Sequence, residues 1–235
     1  MRVVVTRPQS DGERTAAVLR ARGHEVLVAP LMRVESIAAN LGGEWRAVVV
    51  TSANAPIAIM ESAARSALIR LPLFAVGQRS AEAGRQAGFR DVVSGDGDAR
   101  DLVRLIATRV TGGGAPLLYL AGEDRAADLL GDLSARGIAA EMRVVYRGVT
   151  VSFPPELTKA LEAREVDAVL HFSRRSADNY VAGAKRAGIA GPALAVRHLC
   201  LSAQVAEALA EAGRIAIAAR PDEAALIELL QAPPA

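Results

Sequence analysis

The sequence has a single cysteine, two lysines and an aromatic content of only 3%. One cysteine, Cys200, excludes an intramolecular disulfide and any cysteine-based metal cluster. It flanks an apolar run, so it reads as a buried, inert thiol. The three histidines, His24, His171 and His198, are far apart and show no metal-ligand spacing. His171 sits near a predicted strand end and reads as structural. No run approaches the ~20 apolar residues that a membrane span needs. The opening M-R-V-V-V-T-R-P places charge early in its apolar run, which predicts a strand rather than a signal peptide. Gly-x-Ser-x-Gly is absent, and neither Gly95-x-Gly97 nor Gly112–Gly114 forms a dinucleotide fingerprint or phosphate loop. Together these absences predict a cytoplasmic protein with no metal, no cofactor, no covalent nucleophile and no membrane partner.

The positive charge is almost all arginine, 26 residues against Lys159 and Lys185, yet the formal net charge is only +2. That balance does not point to nucleic acid. Arginine suits planar oxyanions, which it holds through two parallel hydrogen bonds. A GC-rich genome would produce the same bias.

What the sequence does have is apolar residues, 51% of its 235 positions, enough for one large α/β domain or two ordinary ones. Strand and helix patterns alternate. Arg2–Thr6 predicts a strand, Glu13–Ala21 a helix stopped at Gly23, and Glu25–Ala29 a second strand. Trp45–Val50 predicts a strand running into Thr51-Ser52-Ala53-Asn54-Ala55-Pro56. Asn54 there is a candidate cap for a helix reaching about Arg65. Leu73–Val76, then Gly77-Gln78-Arg79-Ser80 and an alanine-rich helix closed by Gly88, form a third unit with a short strand at Asp91–Val93. A further helix covers Arg100–Val110.

The pattern then returns. Leu117–Leu120, Ala121-Gly122 and a helix to Ala135 repeat the first unit. Val166–Phe172 with Ser173–Ser176 repeats the second. Ala193–Leu201 with Ser202–Ala208 repeats the third, followed by Ile215–Ala218 and a helix over Asp222–Leu230. Such alternation predicts parallel sheets with right-handed crossovers. Two domain divisions fit. The halves could meet near Gly113, or Leu31–Ser36 and Arg143–Thr150 could pair as an antiparallel bridge, making everything between them one domain. Arg143–Thr150 carries Tyr146, one of three tyrosines.

Open parallel sheets bind ligands beyond the carboxyl ends of their strands. Six strand-to-helix joints are legible, at Thr6-Arg7, Thr51-Ser52, Gly77-Gln78, Ala121-Gly122, Ser173-Arg174 and Ser202-Ala203. All are small, hydroxylated or glycine-containing. Helix starts offer unpaired N–H groups to carboxylates or phosphates, although hydroxyls there also serve simply as caps. Six joints around one cleft would make an extended anion-binding surface.

The chain resembles the uroporphyrinogen-III synthase family. The resemblance rests on Val5-Thr6-Arg7-Pro8, Val50-Thr51-Ser52-Ala53-Asn54-Ala55 and Ala75-Val76-Gly77-x-x-Ser80-Ala81. It continues through Leu118-Tyr119-Leu120-x-Gly122-x-x-Arg125, Val145-Tyr146-Arg147 and Phe172-Ser173-x-x-Ser176. It implies an α/β protein of two flavodoxin-like (Rossmann-like) parallel-sheet domains joined by a two-stranded antiparallel β-ladder. The outer domain would comprise 1–33 plus 148–235 and the inserted one 37–143, with linkers about 31–36 and 143–150. It further implies a cofactor-independent monomer acting on hydroxymethylbilane, a linear tetrapyrrole with eight carboxylates. The preceding pathway enzyme is a candidate partner, and nucleic acid and membrane are not. Closure with inversion of the terminal pyrrole gives uroporphyrinogen III and water.

By the same resemblance Tyr146 is the catalytic candidate, as a proton donor to the leaving hydroxyl. Thr6, Arg7, Thr51, Ser52, Asn54, Gly77, Ser80, Arg125, Ser173, Arg174, Ser176 and Ser202 are the expected substrate-binding residues. The sequence departs from the family at three joints. Ser80 replaces a threonine, Ser202-Ala203-Gln204-Val205-Ala206 replaces Gly-Pro-Thr-Thr-Ala, and Arg174-Arg175 replaces prolines. The competing expectations are a two-lobed, non-catalytic receptor for an anionic small molecule, and an enzyme using a nucleotide at its strand ends.

Overall fold

The structure is a computed structural model that describes residues 1–95, 97–110, 113–124 and 128–231. In chain order its elements are β1 (Arg2–Val5), α1 (Gln9–Ala21), β2 (Glu25–Val28), β3 (Met32–Ser36), β4 (Val48–Val50), α2 (Asn54–Ala58), α3 (Arg65–Leu68), β5 (Leu73–Ala75), α4 (Gln78–Ala87) and β6 (Val92–Ser94). Next come α5 (Ala99–Arg109), β7 (Leu117–Gly122), α6 (Leu129–Ser134), β8 (Ala140–Thr150), α7 (Pro155–Glu162), β9 (Ala168–His171), α8 (Arg174–Arg186), α9 (Ala190–Ala195), β10 (Arg197–Cys200), α10 (Ala203–Ala206), β11 (Ile215–Ile217) and α11 (Glu223–Glu228). The chain separates into two compact units, Met1–Arg33 with Val149–Ala235, and Val34–Gly148.

The first unit holds a five-stranded parallel sheet in the order β11-β10-β9-β1-β2. Numbered along the unit's own chain this is the 2-1-3-4-5 order of flavodoxin-like sheets, with its switch point between β1 and β9. Val3, Val4 and Val5 show why β1 lies in mid-sheet. All three are fully buried, Val4 in the core under one face and Val3 and Val5 in the core under the other. A strand covered on both faces must be apolar at every position.

The second unit holds a six-stranded sheet in the order β3-β8-β7-β4-β5-β6. Here β4 is the mid-sheet strand, with Val48 and Val50 in one core and Val49 in the other. The repeated strand–helix–strand unit, β1-α1-β2 in the first sheet, is β7-α6-β8 in the second. Gly23 and Gly137 end its helix in both copies in the left-handed region, at φ 82° and 70°.

The long strand β8 has two partners. Its first part runs parallel to β7. Its later part faces β3, where the Ile37 N–H donates to the Val145 carbonyl and the Val151 N–H to the Leu31 carbonyl. Rising numbers on one strand meet falling numbers on the other, so this pair is antiparallel. Glu35 and Arg147 pair across it at 3.3 Å.

Three local expectations are overturned. The helix expected from Asn54 to about Arg65 is two short helices, because the Ser62 hydroxyl accepts the Ala64 N–H at 3.3 Å and so competes with the helical ladder. Asn54 is also not the cap. The cap position is Ala53, with no side-chain bond, and the Ser52 hydroxyl instead accepts the Asn54 N–H at 3.2 Å. The strand expected over Ala193–Leu201 begins only at Arg197, and Ala193–Ala195 belongs to α9; alanine and leucine in an unalternating run favour helix. The sequence also carried an unread helix, α7. Pro155 starts it, and Leu157, Ala160 and Leu161 bury one face at helical spacing.

Candidate active site at the strand carboxyl ends

In each unit the expected joints fall on three adjacent parallel strands and therefore on one sheet edge. In the Val34–Gly148 unit the strands are β7, β4 and β5, carrying Ala121-Gly122, Thr51-Ser52 and Gly77 at their ends. In the other unit they are β1, β9 and β10, carrying Thr6-Arg7, Ser173 and Ser202.

Around β4 the side chains form a polar cluster. The Thr51 hydroxyl lies 2.9 Å from the Tyr119 hydroxyl, and Tyr119 is itself buried on β7. Ser52 takes the Asn54 N–H and lies near the Tyr146 phenol. Burial pushes the Tyr146 phenol up from its ordinary pKa of 10.0. The nearby Ser52 hydroxyl opposes that shift, while Tyr119 and the Asp124 carboxylate add to it. The phenol therefore keeps its proton at neutral pH and can donate it.

Tyr146 reaches this position through a β-bulge. Ala121 pairs with Val144 and Gly122 with Tyr146, which leaves Val145 as the extra residue. Val145 is buried in the core beside β4, and Tyr146 packs against that same core, so the bulge brings two consecutive side chains to one face. The Glu123 N–H closes the arrangement on the Tyr146 carbonyl at 3.0 Å. Gly77 precedes α4 in an extended conformation, and Ser80 is buried in that helix's first turn.

The joints of the other unit are more occupied. The buried Thr6 hydroxyl donates to the Leu170 carbonyl at 3.3 Å. Arg7 stacks on Phe172 with its guanidinium carbon 4.2 Å from the ring centroid, and pairs with Glu223 at 3.4 Å and Asp11 at 3.6 Å. Ser173 caps α8 by accepting the Ser176 N–H at 3.2 Å, and Ser176 is buried beneath it. Arg174 holds Glu207 at 2.6 Å on the surface. Ser202 precedes α10, which at four residues is too short to develop much helix dipole. Arg125 lies outside the described residues.

Sequence reasoning passed over Tyr119 as a site residue, although it stands in the motif that carried the resemblance. The signal for Tyr119 was its setting. A tyrosine in an otherwise aliphatic buried strand needs a hydrogen-bond partner for its hydroxyl. A cavity of about 950 Å³, lined by Leu161, Ile189, Pro192 and Val196 among others, opens where β9 and β10 begin. It lies on the amino-terminal edge of its sheet, opposite the joints. Among the described residues no group of three or more acidic, histidine or cysteine side chains could hold a metal ion.

The HEM4 family model, described as uroporphyrinogen-III synthase HemD, matches residues 13–228. The chain belongs to the uroporphyrinogen-III synthase family. Among solved structures it is similar in fold to the uroporphyrinogen-III synthetase from Helicobacter pylori, at 18% identity and a TM-score of 0.68, covering 98% of this chain and 99% of that one. It is also similar to a mutant uroporphyrinogen III synthase from the extremely thermophilic bacterium Thermus thermophilus, at 20% identity and a TM-score of 0.51, covering 98% and 97%. No curated protein matches the chain in sequence. The matched range takes in strands of both sheets, including the bulged β8 with Tyr146.

Proposed function

We infer that this chain is a lyase that closes hydroxymethylbilane into uroporphyrinogen III, with inversion of the terminal pyrrole and loss of water. The observation that carries this is the family match over residues 13–228. The bilane is intrinsically reactive and closes by itself without inversion, so the catalyst's task is to hold one geometry and assist one departure.

Tyr146 supplies the assistance in this reading. Its phenol gives a proton to the leaving hydroxyl, which departs as water and leaves an electrophilic methylene-pyrrole. The substituted carbon of the last pyrrole attacks that methylene to give a spiro intermediate, which fragments and recloses at the free carbon. Loss of that carbon's proton restores aromaticity, and the phenolate takes a proton back. Support for the assignment is the protonated, half-enclosed phenol beside Ser52.

Eight carboxylates need many donors. The N-termini of α1, α4 and α8, each at least ten residues long, are the strongest anion-binding ends among the joints. Thr51, Ser52, Asn54, Gly77 and Ser80 surround one group of ends, and Thr6, Arg7, Ser173, Arg174, Ser176 and Ser202 the other. We assign Arg125 to the first group by its motif. The working form in this proposal is a cytoplasmic monomer that receives its substrate from the enzyme preceding it.

Isomer analysis of the product from hydroxymethylbilane tests the activity. Isomer III, formed faster than spontaneous closure, is expected; isomer I at the spontaneous rate would leave only a binding protein. Tyr146→Phe is expected to lower kcat about 10²-fold with little change in KM, the size of a general-acid contribution. Unchanged turnover would remove Tyr146 from the chemistry.

A further inference from the structure

Gly122 stands at the end of β7 opposite Tyr146, yet its backbone lies outside the left-handed region that six other glycines occupy. Its lack of a side chain therefore answers no φ requirement. The reason is steric. A Cβ placed on Gly122 would lie 2.6 Å from Tyr146 Cζ, 2.7 Å from Cε2 and 2.8 Å from Oη. Those three atoms are the hydroxyl end of the ring. The reactive end of the phenol rests directly on the bare Cα, at a separation that no real Cβ tolerates.

Neighbouring features fix the same end. The bulge at Val145 turns Tyr146 toward this face, and the Glu123 N–H bond to the Tyr146 carbonyl holds its backbone against β7. On the adjoining strand β4, Thr51 is held by the buried Tyr119 hydroxyl. The next residue, Ser52, has one oxygen lone pair taken by the Asn54 N–H. Its side chain lies close enough to the Tyr146 phenol to influence its ionisation.

We propose that Gly122 is the positioning residue for the Tyr146 hydroxyl, acting with the β8 bulge to set where the proton is delivered. This rests on the assignment of Tyr146 as proton donor. Glycine is the only side chain that leaves room for the phenol at this spot. A Cβ here shifts the phenol by roughly an ångström, and a displacement of that size costs on the order of 10²-fold in rate.

The test compares Gly122→Ala, Tyr146→Phe and their combination. Gly122→Ala is expected to lower kcat for isomer III roughly as far as Tyr146→Phe, with KM moved less than about threefold. The combined variant is expected to be no slower than Tyr146→Phe, because both changes remove one function. Wild-type turnover in Gly122→Ala, or losses that multiply in the combination, would overturn the assignment. If Gly122→Ala does not fold, the variant carrying both Gly122→Ala and Tyr146→Ala removes the ring that the methyl strikes and is expected to fold. Failure of that variant would mean the backbone itself needs glycine, which also overturns the proposal.

An activity-independent readout separates the seat from the enzymology. The Tyr146 phenol, identified by ultraviolet difference titration against Tyr146→Phe, is expected to titrate nearer 10 in Gly122→Ala, since the displaced ring gains solvent. An unchanged titration would show that the ring never left its place. If the wild-type protein forms only isomer I, the proposed function fails while this titration still decides the seat. If Tyr146→Phe is fully active, the proton-donor assignment fails instead.

Discussion

The buried polar residues divide into those that serve chemistry and those that serve the fold. His171 and His198 belong to the fold. Both are fully buried, with His171 Nε2 3.0 Å from His198 Nδ1, and the Tyr180 ring packs edge-on against each. The Tyr180 hydroxyl donates to the Ala193 carbonyl at 3.0 Å. Burial, together with the neighbouring His198, holds His171 well below its ordinary pKa, and burial brings His198 down to about 4. Both rings are neutral when folded and take up protons on unfolding. Their contribution to stability is therefore complete above pH 6.5 and is lost as pH falls from there toward 4. For His198 alone the loss reaches about 3 kcal/mol. Urea midpoints are expected to fall over that range, and His198→Gln should flatten the curve. A midpoint independent of pH would contradict the buried, uncharged pair. Cys200 behaves similarly, its thiol raised to about 12 by burial, which makes it inert.

At the scale of elements, helix starts show how differently one kind of sequence signal is used. Asp98 before α5 forms a full capping box. Its carboxylate accepts the Arg100 and Asp101 N–H groups at 2.8 and 3.1 Å, and the Asp101 carboxylate accepts the Asp98 N–H at 3.1 Å. Asp98→Ala is expected to destabilise the protein by about 1 kcal/mol, read as a lower urea midpoint, while isomer III formation stays at the wild-type rate. Ser173 caps α8 through a single such bond, to the Ser176 N–H, yet lies on a sheet edge expected to meet substrate. Ser52 takes an N–H at the start of α2 and also lies near Tyr146. The hydroxyls could be located from sequence because each follows an apolar strand. Their partners could not, because Tyr119 and Tyr146 reach the Thr51-Ser52 joint from β7 and β8, strands about 70 and 90 residues further along the chain. The α2 break and the α9 boundary were hidden for a related reason. Short apolar runs rich in alanine carry little periodicity, so side-chain bonds and packing decide them.

At the scale of the molecule, each of the four apolar cores draws its residues from one unit only. Two cover the faces of the β1-centred sheet and two the faces of the β4-centred sheet. The Val34–Gly148 unit is one continuous segment with both of its cores complete. Expressed alone, residues 34–148 are expected to melt cooperatively with an α/β circular dichroism spectrum. Residues 1–33 alone should remain unfolded, since β1 lacks β9 on one side. Absence of a cooperative transition in the 34–148 fragment would show that its two cores do not suffice.

By itself the sequence determined the α/β class, the repeated strand–helix units and the family, because these depend on local alternation, on glycine stops and on motifs whose order survives divergence. Tertiary structure alone decided that β8 changes partner midway and bulges at Val145, and that a phenol lies on the bare Cα of Gly122. Those facts arise where distant strands are laid side by side, and no local pattern records a spacing between residues that the chain itself keeps apart.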